Sequence, residues 1–371
     1  MKKNKILFGI CGLGNGHTYR QLPLVEHFSK IAEVVIFAHD NSYNFYNDKY
    51  KNNHSVTVIQ VAMPFYVGNK NGLDFKESAE LQINQKDIFN INCVALAKAS
   101  KELGKPDLVI TDYESVSAQY AYAHNAPLIT IDQQSKYLCG DFPEELSGTT
   151  FKDEVERLHM FFPKVAARIA CSFFKIPLRE DGDEVYFSPP TLKDSVVKMN
   201  RRPKNNSILV YISAAREFGQ TPEEIVRVCA TQENFEFHIF LGQGDLYDPK
   251  RLLSSNIHIY EHGNSMFDEI MQECSGIVST AGHSLLSEAM YLNIPVYAIP
   301  VSPYEQHMNS RIIDKNKFGV EYKNIDQQKL SIFLNNLTVF KKNIETDTKI
   351  LLRGVGQEKI IEFINSSFFN D

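Results

Sequence analysis

Residues 5–17 read KILFGICGLGNGH and hold the strongest indication of the fold. Its uninterrupted apolar run up to Cys11 is typical of a strand that is buried on both faces of a parallel sheet. The glycine-rich loop that follows lets the backbone turn sharply, and residues 18–31 predict a helix. A strand, a tight glycine turn and a helix indicate the first βα unit of an α/β fold.

The same alternation continues through two halves of the chain. The first half predicts strands at 33–38, 55–61, 108–111, 128–131 and 168–171, and helices at 75–103, 115–124 and 151–164. The second half predicts strands at 207–212, 235–241, 256–260, 276–279 and 295–299, and helices at 265–273 and 284–292. We therefore expect an α/β fold with two Rossmann-like domains that face each other across a cleft.

The domain boundaries follow from this alternation and from loop chemistry. We expect a first domain at residues 1–188, a linker rich in proline and asparagine at 189–206, and a second domain at 207–345. A terminal helical segment at 346–371 is expected to pack back toward the first domain. The length of 371 residues is enough for two domains that each bury a core.

The composition is that of an ordinary globular protein, with 43% hydrophobic residues and a formal net charge of -6. This charge disfavours a broad nucleic-acid surface. A local basic groove stays open, because basic residues cluster at Lys198, Arg201, Arg202 and Lys204. The six cysteines lack zinc-ligand or redox spacing and indicate a reduced, cytoplasmic protein. No run reaches the ~20 apolar residues of a membrane-spanning helix, so at most peripheral membrane contact is expected.

The first candidate site is the glycine loop. Gly12, Gly14 and Gly16 have the spacing G-x-G-x-G, and His17 stands where the dinucleotide fingerprint needs its third glycine. NAD is therefore the less favoured ligand. The start of the following helix attracts negative charge, which makes Gly14 and Gly16 candidates for nucleotide binding. The alternative is a tight turn that carries a surface histidine.

The second candidate site is residues 279–289, which read STAGHSLLSEA between an apolar strand and a helix. Gly282 allows a ligand to approach the backbone closely. The amides that would point at a phosphate belong to His283, Ser284 and Leu285. Glu288 lies about one turn further along the same face, where a carboxylate suits the hydroxyls of a ribose. The alternative is an ordinary helix with a solvated Glu288.

The third candidate site is residues 300–310, which read PVSPYEQHMNS after the next strand. Glu305 and Gln306 follow the carboxyl end of that strand, where α/β sheets bind ligands. The alternative is an ordinary helix start, since the first turn of a helix favours acidic residues.

The ordered set of a GxGH loop, an A-G-x-S-x-x-x-E helix and a P-x-x-x-E-Q-x-x-N helix resembles the UDP-sugar glycosyltransferases of the GT-B fold. These include relatives of the undecaprenyl-disaccharide N-acetylglucosaminyltransferase (family 28/1-like). The resemblance implies that the first domain binds the acceptor, with His17 as candidate general base, and that the second binds the nucleotide-sugar. It further implies that residues 282–285 hold the diphosphate, Glu288 the ribose, and Glu305 and Gln306 the sugar or a phosphate.

One departure from the family concerns Thr280, which stands where plant and animal members carry a histidine. Here His283 follows the motif glycine instead, so a phosphate contact by histidine stays open. Retaining GT-B enzymes commonly carry a second glutamate upstream of the phosphate helix, and that position is also Thr280. The departure therefore favours an inverting reaction.

An inverting displacement needs a base for the acceptor proton and a stabilised leaving diphosphate. Histidine ordinarily titrates near neutral pH, and a nearby carboxylate would fix the tautomer of His17. The candidates are Asp112 and Glu114, beside the end of a predicted strand. Residues 181–183 spell the Asp-x-Asp of metal-dependent GT-A enzymes but lie in a polar turn. We therefore expect no metal and no cofactor other than the UDP-sugar substrate.

Three further interpretations stay open. The acceptor hydroxyl can belong to a glycan, a lipid-linked molecule or a small molecule. The chain can instead be a UDP-sugar epimerase or a binding protein on the same scaffold. A phage-type glycosyltransferase that acts on modified DNA bases is the third interpretation, and the net charge of -6 argues against it.

Overall fold

The computed structural model describes residues 3–64, 66–69, 71–82, 87–212, 220–242, 254–301 and 304–369. The chain forms two compact units, residues 1–193 with 354–371, and residues 194–353. The sequence pattern instead placed a domain end at 188, a linker at 189–206 and a terminal segment at 346–371. The division differs because Gly356 N donates to Pro190 O at 2.9 Å, which ties the chain after residue 188 to the terminal segment.

The first unit is built on one parallel sheet. Its elements are β1 (Asn4–Ile10), α1 (Gly16–Phe28), β2 (Ala32–Ala38), α2 (Asp40–Tyr50), β3 (Val56–Gln60), β4 (Gly68–Asn69), β5 (Gly72–Leu73), α3 (Phe75–Gln82), α4 (Ile88–Glu102), β6 (Leu108–Asp112), α5 (Ser115–His124), β7 (Leu128–Asp132), a 3₁₀ helix (Ser135–Leu138), β8 (Glu145–Leu146), β9 (Thr149–Thr150), α6 (Lys152–Phe161), β10 (Ala167–Cys171) and β11 (Tyr186–Ser188). The strand order is β11-β10-β7-β6-β1-β2-β3. Because β1 lies between β2 and β6, the loops after β1, β2 and β6 meet at one edge of the sheet.

The second unit is built on another parallel sheet. Its elements are α7 (Asp194–Val197), β12 (Ser207–Tyr211), α8 (Pro222–Ala230), β13 (Glu236–Leu241), β14 (Ile257–Glu261), α9 (Met266–Glu273), β15 (Gly276–Ser279), α10 (His283–Tyr291), β16 (Val296–Ala298), α11 (Tyr304–Lys315), β17 (Gly319–Glu321), α12 (Gln327–Asn335) and α13 (Leu337–Thr346). The strand order is β14-β13-β12-β15-β16-β17. The carboxyl ends of β15 and β16 therefore lie side by side and lead into α10 and α11.

The terminal helix α14 (Gly356–Phe368) belongs to the first unit. Its buried Ile360 and Ile364 join the apolar cluster formed by α1 and one face of β1. The other face of β1 packs in a second cluster with residues of α4, α5 and α6. Burial of β1 on both faces explains its uninterrupted apolar sequence.

The core of the second unit shows the same layered design. Val210, Ile239 and Val278 of adjacent strands are fully buried in one cluster with residues of α8 and α12. Helix α8 starts at a reciprocal capping box between Thr221 and Glu224, which satisfies two backbone donors at the helix start. Two helix-covered parallel sheets confirm the predicted α/β fold class.

The helical predictions differ from the structure in the first unit. The sequence pattern predicts no helix after β2, yet α2 forms there and buries Tyr46 and Tyr50. The single helix predicted for 75–103 is described as α3 and α4, and residues 83–86 lie outside the described part of the chain.

Of the helices in the described ranges, none has the length and apolar character needed to cross a membrane.

Candidate functional site

The first glycine loop brings the start of α1 against the residues that follow β2. A side chain at Gly12 would lie 1.8 Å from the carbonyl oxygen of His39, so only glycine fits there. Gly12 N donates to His39 Nε2 at 3.1 Å, and His39 Nδ1 lies 2.8 Å from Asp40 Oδ2. This close approach fixes the loop that leads to His17 in the first turn of α1.

His17 and Asp112 form a buried pair at the carboxyl edge of the sheet. Asp112 ends β6 and lies in register with Ile10 at the end of β1. His17 Nδ1 is 2.7 Å from Asp112 Oδ1, and Asp112 is fully buried. Of the two carboxylates proposed as partners for His17, the structure thus brings Asp112 into contact.

Glu114, the other proposed partner, has a different set of contacts. Its two carboxylate oxygens accept hydrogen bonds from the amides of Val116 and Ser117, both at 2.7 Å, and so cap α5. Burial raises the pKa of Glu114 to about 7 despite these two amides. Glu114 therefore caps α5, and His17 is not one of the partners in these contacts.

Two residues that sequence reasoning missed, Arg20 and Gln21, complete the surroundings of Asp112. Arg20 Nε donates to Asp112 Oδ2 at 2.8 Å, and Arg20 Nη2 donates to Oδ1 at 3.1 Å. Gln21 Nε2 donates to Oδ2 at 3.0 Å and to Ile131 O at 2.8 Å. The available signal was the three-residue spacing of His17 and Arg20, which puts both on one helix face.

The electrostatics of this cluster favour an ionised Asp112. Burial opposes ionisation, but the charge of Arg20 and the hydrogen bonds from His17 and Arg20 outweigh it and lower the pKa of Asp112 to about 2. An ionised carboxylate offers no proton, so the hydrogen between Asp112 and His17 belongs to Nδ1. Nε2 is then the ring atom that can accept a proton.

The ring of Tyr113 lies beside the ring of His17. The two rings stack with centroids 6.0 Å apart and planes at 23°. Tyr113 has a φ of 62°, a left-handed conformation that is an outlier for a bulky residue. Arg157 Nη1 donates to the Tyr113 hydroxyl at 2.9 Å, which holds the ring in place from α6.

The remaining predicted residues of this loop are Gly14 and Gly16. Gly14 has a φ of +74°, and a side chain there would have no neighbour within 4 Å. Gly16 is the first residue of α1, whose cap residue Asn15 makes no side-chain hydrogen bond to the helix. The loop therefore presents open space beside a helix start.

In the second unit, Gly282 precedes α10. A side chain at Gly282 would likewise have no neighbour within 4 Å. Gly282 is the cap residue of α10, and the first turn of the helix holds no acidic side chain. A helix start with a glycine cap and no acidic side chain suits an anion.

The other residues predicted for this site lie along α10. Ser284 and Leu285 are half-buried in its first turn, and His283 and Glu288 are buried. His283 O accepts a hydrogen bond from Ser287 Oγ at 2.7 Å. Glu288 is 8% exposed, which argues against the alternative that it is a solvated helix residue.

Glu305 and Gln306 lie in the first turn of α11, next to the start of α10. Gln306 Oε1 accepts from Val301 N at 2.9 Å. Asn309, one turn further along α11, donates through Nδ2 to Ala281 O at 3.0 Å and lies 3.4 Å from Glu305 Oε1. Asn309 is the asparagine of the E-Q-x-x-N motif, for which the sequence pattern predicts no role. Residues 302 and 303 lie outside the described residues.

The basic cluster proposed as a nucleic-acid groove makes local contacts. Lys198 pairs with Asp194, and Lys204 pairs with Glu273. Arg201 donates to Cys274 O at 2.6 Å, which ties the chain before β12 to α9. These contacts engage three of its four basic side chains within the protein.

The polar turn of Asp181 and Asp183 places these carboxylates near Arg179 and His159.

Comparisons with known proteins show the family to which the chain belongs. Residues 4–338 match a family model described as glycosyl transferase family 1. An uncharacterized glycosyltransferase of Methanosarcina mazei is 23% identical over 337 residues, which cover 85% of this chain and 84% of the relative. The UDP-N-acetylglucosamine–N-acetylmuramyl-(pentapeptide) pyrophosphoryl-undecaprenol N-acetylglucosamine transferase of Rickettsia bellii is 27% identical over 380 residues, which cover 95% of each chain.

Solved structures match over the whole chain as well. A UDP-glucose: anthocyanidin 3-O-glucosyltransferase in complex with UDP superposes with a TM-score of 0.65 and 16% identity, covering 99% of this chain and 100% of that one. At this identity the likeness concerns the fold alone. The predicted GT-B fold and the resemblance to these enzymes are confirmed.

Proposed function

Because the chain belongs to glycosyl transferase family 1 and is a glycosyltransferase, we propose that it catalyses the inverting, metal-independent transfer of a sugar from a UDP-sugar to an acceptor hydroxyl. The observation that carries the proposal is the contact of 2.7 Å between His17 Nδ1 and Asp112 Oδ1. This contact leaves Nε2 of the ring as a base at the edge of a sheet where α/β proteins bind ligands.

His17 is the general base of the proposed reaction. Its Nε2 takes the proton of the acceptor hydroxyl while the acceptor oxygen forms a bond to the anomeric carbon. The ring then carries a positive charge, which the ionised Asp112 stabilises. A single displacement of this kind inverts the anomeric configuration.

The start of α10 receives the leaving group. The bond between the anomeric carbon and the diphosphate oxygen breaks, and its electron pair stays with UDP. The glycine cap at Gly282 and the amides of the first turn of α10 stabilise the negative charge through hydrogen bonds and the helix dipole. Glu288 binds the ribose hydroxyls, and Glu305 and Gln306 bind the sugar. Since amides and a dipole supply the stabilisation, the proposal includes no metal.

UDP as the nucleotide is supported by two of the similar proteins, one named for a UDP-N-acetylglucosamine substrate and one solved with UDP. The acceptor class in the proposal is a glycan, a lipid-linked molecule or a small molecule. A cytoplasmic location is also part of the proposal. The six free cysteines, five of them buried, support it.

The test is donor turnover followed by product analysis. UDP-glucose and UDP-N-acetylglucosamine are incubated with the enzyme, with and without EDTA, and UDP release is measured. We expect UDP release that EDTA leaves intact, and a β-anomer as the first sugar product by proton NMR. A first product with the α configuration excludes inversion, an epimerised UDP-sugar indicates an epimerase, and loss of activity with EDTA excludes the metal-independent route.

A further inference from the structure

We propose that Arg20 is a positioning residue of the transfer reaction, which holds Asp112 at two points and so keeps the proton of the His17 ring on Nδ1. This inference rests on the proposed role of His17 as the base. It assigns a function to a residue of α1 that touches neither reacting molecule and acts through its two neighbours.

The geometry shows a guanidinium shared between both members of the pair. Arg20 donates to both oxygens of Asp112, and its Nη2 also lies 3.0 Å from His17 Nδ1. Arg20 is 5% exposed, so water screens its charge little. Nη2 of Arg20 and Oδ1 of Asp112 therefore both lie within hydrogen-bond distance of Nδ1, so the guanidinium contacts both members of the pair.

Hydrogen-bond satisfaction alone does not explain an arginine at this place. His17 Nδ1 donates to Oδ1 of Asp112, and Gln21 Nε2 donates to Oδ2. Each carboxylate oxygen therefore has a donor without Arg20. What the arginine adds is a fixed positive charge and a planar fork that sets the orientation of the carboxylate.

Few other charges act on the ring. The titratable groups that face this cluster from the packed elements are Cys11, His39, Tyr113, Glu114, Asp132 and Cys171. Burial raises the pKa of Cys11 and Cys171, so both thiols stay neutral. Burial lowers the pKa of His39, and Asp132 accepts hydrogen bonds from Ser135 at 2.7 and 2.9 Å. Among the residues that the structure describes, Arg20 is therefore the cation in contact with the pair.

The experiment is nitrogen NMR of the histidine rings in protein labelled with ¹⁵N-histidine, with His17→Gln used to assign the signal. The tautomer of the His17 ring is recorded for the wild type, Arg20→Gln and Arg20→Lys. The matched control is Arg168→Gln. Arg168 is 6% exposed in the same unit and donates to Phe162 O at 2.8 Å. UDP affinity and turnover are measured on the same preparations.

In the wild type we expect the Nδ1–H tautomer at pH 7.5. Arg20→Gln removes the fork that orients the carboxylate, so we expect part of the His17 rings to carry the proton on Nε2 and turnover to fall about tenfold with unchanged UDP affinity. Arg20→Lys keeps the charge but loses the fork, so turnover also falls about tenfold with unchanged UDP affinity. Arg168→Gln leaves the tautomer of His17 as in the wild type.

A folded Arg20→Gln variant with the wild-type tautomer and wild-type turnover overturns the proposal. If that variant does not fold, Arg20→Lys with wild-type turnover overturns it, and so does a wild-type ring with its proton on Nε2. The tautomer is measured without a sugar substrate. A contrary tautomer is therefore distinct from a failure of the proposed sugar transfer, which donor turnover measures.

Discussion

The side-chain amide of Asn309 donates to the carbonyl oxygen of Ala281 at 3.0 Å and so joins α11 to the turn before α10. Ala281 has a φ of 60°, a left-handed conformation that costs an alanine roughly 1–2 kcal/mol. Asn309 is fully buried. The bond holds a strained turn at the place where the diphosphate is proposed to bind.

Asn309→Ala removes the hydrogen bond to Ala281. We expect affinity for UDP to fall about tenfold, the equivalent of one hydrogen bond of roughly 1.4 kcal/mol. Affinity for uridine should fall much less, because uridine lacks the diphosphate. Calorimetric titration with both ligands measures the difference. Asn316→Ala, near the other end of α11, where the amide bonds Ile312 O at 2.8 Å, is the control. An equal loss for UDP and uridine would show that Asn309 serves stability alone.

His17→Ala removes the proposed base. Turnover should fall by roughly 10²–10⁴-fold, whereas UDP affinity should barely change because the proposed donor contacts belong to the second unit. Melting temperature, UDP affinity and turnover are compared on one preparation. His27→Ala on the same helix is the control and should keep its turnover. Near-normal turnover of a folded His17→Ala variant removes this histidine from the mechanism.

The buried Asp112 makes stability depend on pH in the acid range. Its folded-state pKa of about 2 lies below the ordinary aspartate value of 3.8, so the unfolded chain binds the proton more tightly. The ionised group contributes about 2 kcal/mol above pH ~4, and this stability is lost as the pH falls toward 2. Urea unfolding between pH 2.5 and 7 measures this dependence.

Asp112→Asn tests whether the ion pair between Asp112 and Arg20 causes this dependence of stability on pH. The substitution leaves the Arg20 charge buried without its partner, which should cost roughly 3–5 kcal/mol at pH 7. The remaining stability should fall less steeply between pH 4 and 2.5 than in the wild type. A variant with wild-type stability at pH 7 contradicts the ion pair as the cause.

Glu288→Ala tests the ribose contact. Loss of a charge-assisted hydrogen bond should weaken UDP binding by roughly 1.5–3 kcal/mol, which is about one to two orders of magnitude in affinity. The control is Glu269→Ala, since Glu269 is an exposed residue of α9 in the same unit. Unchanged UDP affinity together with a lower melting temperature would assign Glu288 a structural role only.

The layered fold was predictable because the sequences of its strands have a recognisable apolar pattern. A strand buried on both faces, such as β1, reads as an unbroken apolar run. Helix α2 lacked such a signal, since its sequence DNSYNFYNDKY is rich in polar residues with low helix propensity. Its buried side chains Tyr46 and Tyr50 show that tertiary packing stabilises this helix.

The site was predictable where a residue follows a strand or opens a helix. His17 and Asp112 were candidates because both follow strand ends, where ligands bind. Arg20 and Gln21 were missed because polar residues in a helix ordinarily face water, and only the fold reveals that this face covers a buried carboxylate. The left-handed backbone of Tyr113 also gave no sequence signal, since such conformations are rare in bulky residues.

Calorimetric titration of the purified protein with UDP, NAD and ATP tests the proposed UDP-sugar donor. We expect UDP to bind at least about tenfold more tightly than NAD or ATP, because the proposed diphosphate and ribose contacts of α10 serve a UDP-sugar and the first glycine loop lacks the dinucleotide spacing. Binding should be retained in His17→Ala and weakened in Glu288→Ala. Tighter binding of NAD or ATP than of UDP would exclude a UDP-sugar as the donor.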